Sequence, residues 1–201
     1  VEDIADVIIE KSANLHRVLV AIAGPPGAGK STISEHLAST LANRGETVAI
    51  VPMDGFHLDN EVLKLQGAFK RKGAEYTFDA LGFVDLIERL SGAVVDVSIP
   101  VFDREKDMAI ADAQVVSAQT RILLVEGNYL LLNSAPWSSL HQYWHYSIFI
   151  NPGIDVLTQR LIKRWLDLGL SERQAKERAL GNDIPNAQQV LAHSIPPDLA
   201  I

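Results

Sequence analysis

Continuous apolar runs alternate along the chain with stretches of helical spacing. Residues 18–23 (VLVAIA), 47–52 (TVAIVP), 121–125 (RILLV) and 147–150 (SIFI) are short and carry no polar face. Such runs suit strands covered on both sides, as in a parallel sheet. Between and around them, residues 1–14, 29–43, 59–66, 83–90, 154–168, 171–180 and 185–193 predict helices. Gly45 is placed to stop the second of these, Gly169 separates two others, and Pro185 stands at the start of the last. Residues 94–101 and 114–118 predict two more strands around a polar loop at 103–107, and residues 198–201 predict the opening of a last strand. Residues 66–78 are basic, contain glycine and show no period. Buried strands alternating with helices predict an α/β chain, a three-layer sandwich around a mostly parallel sheet. With no repeat and no long linker, 201 residues predict a single domain.

The pattern gains chemistry at residues 24–31, GPPGAGKS, which fit G-x-x-x-x-G-K-[ST] between a predicted strand and a predicted helix. Gly24, Pro25, Pro26, Gly27, Ala28 and Gly29 would let the backbone curl around phosphate oxygens. The helix N-terminus would add positive potential. Lys30 would neutralise β- and γ-phosphates, the Ser31 hydroxyl would ligate Mg²⁺, and Thr32 would reach the α-phosphate. This predicts nucleoside triphosphate binding without saying what becomes of the phosphate.

Ligands of open α/β sheets lie beyond the carboxyl ends of the strands, so the residue after each strand matters most. Asp54 follows residues 47–52 and is placed either to accept the proton of an attacking hydroxyl or to reach a metal, a turn or N-cap residue before Gly55 being the alternative. Glu126 follows residues 121–125 and is placed to anchor Mg²⁺. Arg160 and Arg164 lie four apart on a predicted helix and share a face, so they are placed to meet phosphoryl oxygens; a solvated face paired with Asp155 and Asp167 is the alternative. Lys70, Arg71 and Lys72 would meet an anionic substrate group or shape a loop, a solvated surface being the alternative. Arg173 and Arg178 read as solvated. His57 stands out only by its place beside Asp54. His141 and His145 lack a third ligand for zinc, and Trp137, Tyr143, Trp144 and Tyr146 read as core or interface.

Composition closes several other routes. There is no cysteine, which excludes disulfides, thiolate metal sites and a cysteine nucleophile. Eighteen basic against 25 acidic residues give a net charge of −7, which argues against a nucleic-acid duplex as partner. No apolar stretch approaches the roughly 18 residues of a membrane span, and the N-terminus lacks the basic-then-apolar order of a signal peptide. The expectation is a cytoplasmic protein with neither nucleic-acid nor membrane partners, monomer and homodimer both remaining open.

Four further segments narrow the chemistry: MDGFHLDN at 53–60, RKGAEYTFD at 71–79, PVFDR at 100–104 and VEGNYL at 125–130. Together with GPPGAGKS they resemble the phosphoribulokinase/uridine kinase family, which includes bacterial pantothenate kinase. They are most similar to a bacterial branch labelled nucleoside kinase-like or fructose-transport-system kinase (fructokinase-like), which GNDIPNAQQV at 181–190 also fits. The resemblance implies a P-loop kinase fold with a substrate-site hairpin at about 94–118 and a helical lid at about 160–180. It implies ATP and Mg²⁺ as cofactors and a small-molecule alcohol as acceptor: a sugar such as fructose, or a nucleoside- or pantothenate-like molecule. Asp54 matches the family's catalytic base, Glu126 its acid near magnesium, and Arg160 and Arg164 the R-L-x-x-R of its lid. His57, Lys72, Tyr76, Asp79, Arg104 and Asn128 fall in segments that wall the acceptor pocket. Uridine kinases carry D-S-F-Y where this chain has Asp54-Gly55-Phe56-His57, which makes uridine a less expected acceptor. A GTPase would need a guanine-reading N-K-x-D motif, and none is present. A regulatory nucleotide-binding module, or an NTPase without an acceptor, is the remaining alternative; the intact Lys30, Ser31, Asp54 and Glu126 argue against it.

Overall fold

The structure is a computed structural model and describes residues 1–201. Five strands form one parallel sheet: β1 (Val18–Ala23), β2 (Val48–Pro52), β5 (Ile122–Gly127), β6 (Tyr146–Phe149) and β7 (Leu199–Ala200), in the order β2-β5-β1-β6-β7. Every residue of β1 is buried. Its alternate positions face opposite ways, so Leu19, Ala21 and Ala23 join one core cluster and Val18, Val20 and Ile22 the other. This two-sided burial is why the strands read as unbroken apolar runs.

Helices cover both faces. α1 (Glu2–Ser12), α2 (Lys30–Asn43) and α5 (Ile154–Asp167) contribute Ile8, Leu37, Leu41, Leu157 and Leu161 to one cluster. α4 (Ala80–Ser91) contributes Phe83, Leu86, Ile87 and Leu90 to the other. Phe83 is fully buried against Trp137 and Phe56, and Phe83→Ala would cost about 3–5 kcal/mol. Trp137 is buried in this cluster, with Tyr143 and Trp144 packed against it, while Tyr146 is buried in the other.

Two elements differ from the sequence reading. The hairpin strands β3 (Val97–Asp103) and β4 (Met108–Val116) leave only a short turn between them. β4 begins six residues earlier than residues 114–118 suggest, because a hairpin covered on one side admits polar positions such as Asp112 within a strand. The register shifts between Ile99 and Val101, around Pro100, and Asp112 there takes φ 51. Pro100 has no N–H to give the ladder, which favours an irregularity at that point. The second difference lies near the C-terminus. α6 (Glu172–Arg178) does not end before the last helix. It runs through a π-turn, Ala179–Asp183, into α7 (Ile184–His193). α3 (Asn60–Leu65) and the 3₁₀ turns Phe69–Arg71 and Glu75–Thr77 complete the irregular basic segment. No helix is long and apolar enough to cross a membrane.

Candidate active site

The loop between β1 and α2 is shaped by its backbone. Gly24 takes φ +148, and a Cβ there would lie 2.4 Å from Ile150 O. Only glycine brings the loop this close to β6, which explains the first position of the motif. The loop opens on a cleft of ≈ 260 Å³ with no hydrophobic lining. Pro26, Gly27, Gly29, Lys30, Ser31 and Thr32 form one wall, while Gly24, Pro25 and Ala28 sit buried behind it.

Lys30 Nζ donates to Gly24 O and Pro25 O, each at 3.0 Å, and to Asn128 Oδ1 at 2.7 Å. Burial lowers its pKa to about 8, against the opposing pull of Asp54 and Glu126. Glu126 closes β5 on the opposite wall. Its Oε1 accepts from Ser31 Oγ at 3.1 Å, while Oε2 is buried without a partner. Burial is the main cause that raises its pKa, with the Ser31 bond and Lys30 opposing it. An orphaned carboxylate oxygen beside a serine hydroxyl fits a hard divalent cation whose remaining ligands come from phosphate and water. No cluster of three or more His, Asp or Glu residues offers a second metal site. His145 Nδ1 instead accepts the Leu19 N–H at 3.2 Å, at the sheet.

Asp54 enters from β2 through the 3₁₀ turn Met53–Phe56. Arg104, from the β3–β4 turn, places Nη2 3.1 Å from its Oδ2. Gly55 explains the D-G-F order: a Cβ there would lie 2.3 Å from Pro100 O, so this turn packs backbone to backbone under β3. On α5, Arg160 Nη1 donates to Gly27 O at 3.2 Å and Ala28 O at 3.0 Å. Arg164, one turn on, reaches the cleft itself. Its pKa is lowered by loss of hydration and then by the like charge of Arg104.

A second cavity, of ≈ 120 Å³, adjoins the first. Asp54, Arg104, Asn128 and Arg164 line both. His57 and Lys72 join them, as the resemblance implies. The His57 ring packs 4.1 Å from Phe78 and 4.7 Å from Phe102, with Nδ1 2.8 Å from Asp54 O. Burial lowers its pKa, so the ring is neutral near pH 7 and serves as an aromatic wall. Lys72 Nζ is held by Asn60 Oδ1 at 2.7 Å and Asp107 Oδ1 at 2.9 Å.

Tyr76 and Asp79 are not brought there. Asp79 caps α4, its Oδ1 accepting from Gly82 N at 3.0 Å, and Tyr76 lies exposed beside a separate surface groove near Pro136 and Trp137. The motif TFD therefore ends in a helix cap, as aspartate often does.

Other residues take their place: Phe102, Asp107, Trp165, Arg178, Asp183 and Asn186. The π-turn brings the last two around. Asn182 Nδ2 donates to Lys72 O at 2.9 Å, and Arg71 donates to Gly181 O at 3.0 Å and Asn186 Oδ1 at 2.9 Å. Trp165 Nε1 donates to Asp183 Oδ2 at 2.5 Å, and burial raises the Asp183 pKa. Arg178, read from sequence as solvated, donates to Lys70 O at 2.7 Å and stacks 5.2 Å from the Trp165 ring.

The relatives of the chain fit this arrangement. The model of the Phosphoribulokinase / Uridine kinase family matches residues 19–179. A protein of Schizosaccharomyces pombe named putative uridine kinase is 36% identical, over 96% of this chain and 86% of its own length. The uncharacterized protein YggC of Escherichia coli is likewise 36% identical, over 89% of this chain and 74% of its own. The crystal structure of a putative fructose transport system kinase from Silicibacter sp. TM1040 superposes with a TM-score of 0.95 at 42% identity, covering 100% of this chain and 98% of that one. YFH7 of Saccharomyces cerevisiae, at 21% identity and a TM-score of 0.84, shares the fold. These matches and the cleft that joins Lys30, Ser31, Asp54 and Glu126 lead to one assignment: the chain belongs to the phosphoribulokinase/uridine kinase family and is a P-loop phosphotransferase acting on a small-molecule alcohol.

Proposed function

We propose that the chain transfers the γ-phosphoryl of ATP, with Mg²⁺, to a hydroxyl seated in the second cavity, and that Asp54 is the base. The observation that supports this most directly is the shared wall: Asp54 lines both the cleft of the phosphate loop and the cavity beside it. A carboxylate there faces a hydroxyl on one side and the phosphoryl group on the other.

Each residue then has one task. The loop amides and Lys30 hold the β- and γ-phosphates and exchange the Lys30 bonds to Gly24, Pro25 and Asn128 for phosphate oxygens. Ser31 and Glu126 would hold Mg²⁺, which when bound neutralises charge on the phosphates. Arg164 faces the equatorial oxygens of the group in flight, while Arg160 fixes the loop backbone through Gly27 O and Ala28 O. Arg104 orients the Asp54 carboxylate, which takes the proton from the acceptor hydroxyl as the O–P bond forms.

Segment 160–180 is the lid in this reading, but its far end is already tied to residues 70–72 through Arg178 and the π-turn. The corner between α5 and α6, around Gly169, carries no such ties to that segment and is the part free to close and exclude water.

The test is ADP release by the full chain with ATP and Mg²⁺, measured with and without a panel of alcohols. Acceptor-dependent release that Asp54→Asn removes is expected. Release that no alcohol stimulates would instead favour an NTPase or regulatory module.

A further inference from the structure

The second cavity is not closed on its outer side. It continues into a groove of ≈ 830 Å³ between the lid helices, the β3–β4 turn and residues 69–72. Its walls are of two kinds. Phe69, Phe102, Trp165, Leu168 and Leu170 give it an apolar surface, and Leu168 is 62% exposed with nothing covering it. Around them stand seven cations and only the acids Asp107 and Asp167, in a chain whose net charge is −7.

Most of those cations have work elsewhere. Lys72 is paired with Asp107, Lys163 with Asp167 and Arg104 with Asp54. Arg160 and Arg164 serve the phosphate loop and the transferred group. Lys70 and Arg178 remain, with no carboxylate within ion-pair distance. Arg178 is also held in place: one nitrogen donates to Lys70 O, and the guanidinium stacks on Trp165. A fixed guanidinium with free N–H groups, in a groove also lined by an unpaired lysine and by apolar side chains, is built for an anion that carries an apolar body.

We infer that the acceptor is an amphiphilic acid. Its hydroxyl lies at Asp54, its apolar body lies against Phe102, Trp165 and Leu168, and a carboxylate or phosphate monoester is held by Lys70 and Arg178. A free hexose has no anion for these two cations, and it would leave most of the groove to water. The inference rests on the reading of Asp54 as the reacting end of the pocket.

The test uses probes matched except at one group: 2-naphthoate, 2-naphthyl phosphate and neutral 2-naphthalenemethanol, with fructose as the polyol comparison. Each is titrated calorimetrically into the full chain saturated with ADP and Mg²⁺, so that the phosphate loop is already filled. At least one anion is expected to bind roughly tenfold or more tightly than the neutral alcohol, one charge-assisted contact being sufficient for that factor. Which anion binds more tightly separates carboxylate from phosphate. In the double variant Lys70→Gln, Arg178→Gln the preference should collapse toward unity. The single variant Lys70→Gln, at an exposed side chain, should reduce it in part and serves if the double variant does not fold. Equal binding of neutral and anionic probes, tighter binding of fructose, or a preference that survives the substitutions would each overturn the inference. Anion binding that depends on Arg178, with no alcohol phosphorylated, would leave the groove assigned and remove the kinase reading instead.

Discussion

The phosphate cleft and the acceptor cavity share Asp54, Arg104, Asn128 and Arg164, yet they are built by different means. The cleft is mostly backbone and strand ends: a glycine loop at the end of β1, Glu126 at the end of β5, Asp54 just past β2. The parallel sheet fixes all of these relative to one another. Beside Pro26 and Asn128, the acceptor cavity is built from four remote segments, 54–57, 72–73, 102–107 and 164–186, joined by hydrogen bonds between loops. One site is a property of the sheet and the other of its connections. Change in the first should therefore stop the reaction, and change in the second should redirect it.

Asp54 stands on the boundary, so its substitution should have the largest effect. Asp54→Asn should lower kcat by about 10²–10⁴-fold while ATP affinity changes little, since the loop is untouched. Steady-state kinetics beside nucleotide binding would read this. Equal losses in both would move Asp54 to the metal and erase the division between the two sites.

Gly55→Ser tests the division from the hairpin side. A Cβ at 2.3 Å from Pro100 O must push β3 away and carry Arg104 with it. The cost should be about 1–3 kcal/mol of stability. The acceptor KM should rise while ATP affinity holds. A matching loss of ATP affinity would show that the cleft depends on the hairpin as well.

Glu126→Gln probes the sheet-built half. Because burial raises the Glu126 pKa, the folded chain binds that proton more tightly than the unfolded chain does. The ionised carboxylate therefore costs stability, which should rise as pH falls through its folded value. Removing the charge should raise the Tm of the nucleotide-free chain near neutral pH and abolish the Mg²⁺ dependence of nucleotide affinity. A lower Tm would mean that Glu126 is held by more than the Ser31 bond.

The smallest effect concerns a proton. With its pKa lowered to about 8, Lys30 is about half deprotonated at that pH. A triphosphate raises that value again, so nucleotide binding near pH 8 should take up part of a proton, and binding at pH 6 almost none. Calorimetry in buffers of different ionisation enthalpy measures this. Persistence of the uptake in Lys30→Met would assign it to another group.

The same division decides what could be read in the sequence. GPPGAGKS, Asp54 and Glu126 were legible because they are contiguous or terminate apolar runs, and two-sided burial makes such runs plain. Arg178 and Asp183 were not, because nothing in their local pattern says which way a π-turn will face them, and the place of Trp165 depends on its bond to Asp183 across that turn. Asp79 shows the reverse failure. Its motif was recognised, but three residues on, Gly82 offers the helix N–H that occupies it. The full length of β4 was hidden for a related reason, since a strand covered on one side tolerates the polar residues that mark loops elsewhere.

The resting bonds of Lys30 bear on the timing of the catalytic cycle. Gly24 O, Pro25 O and Asn128 Oδ1 accept its three N–H groups. An incoming nucleotide meets an ammonium already satisfied, and a departing one leaves no bare charge behind. In the proposed reaction Asn128 would stand in for phosphate between turnovers, which would narrow the energy gap between free and loaded enzyme. Such a placeholder would keep spent nucleotide from lingering, because the protein itself supplies the group that replaces it.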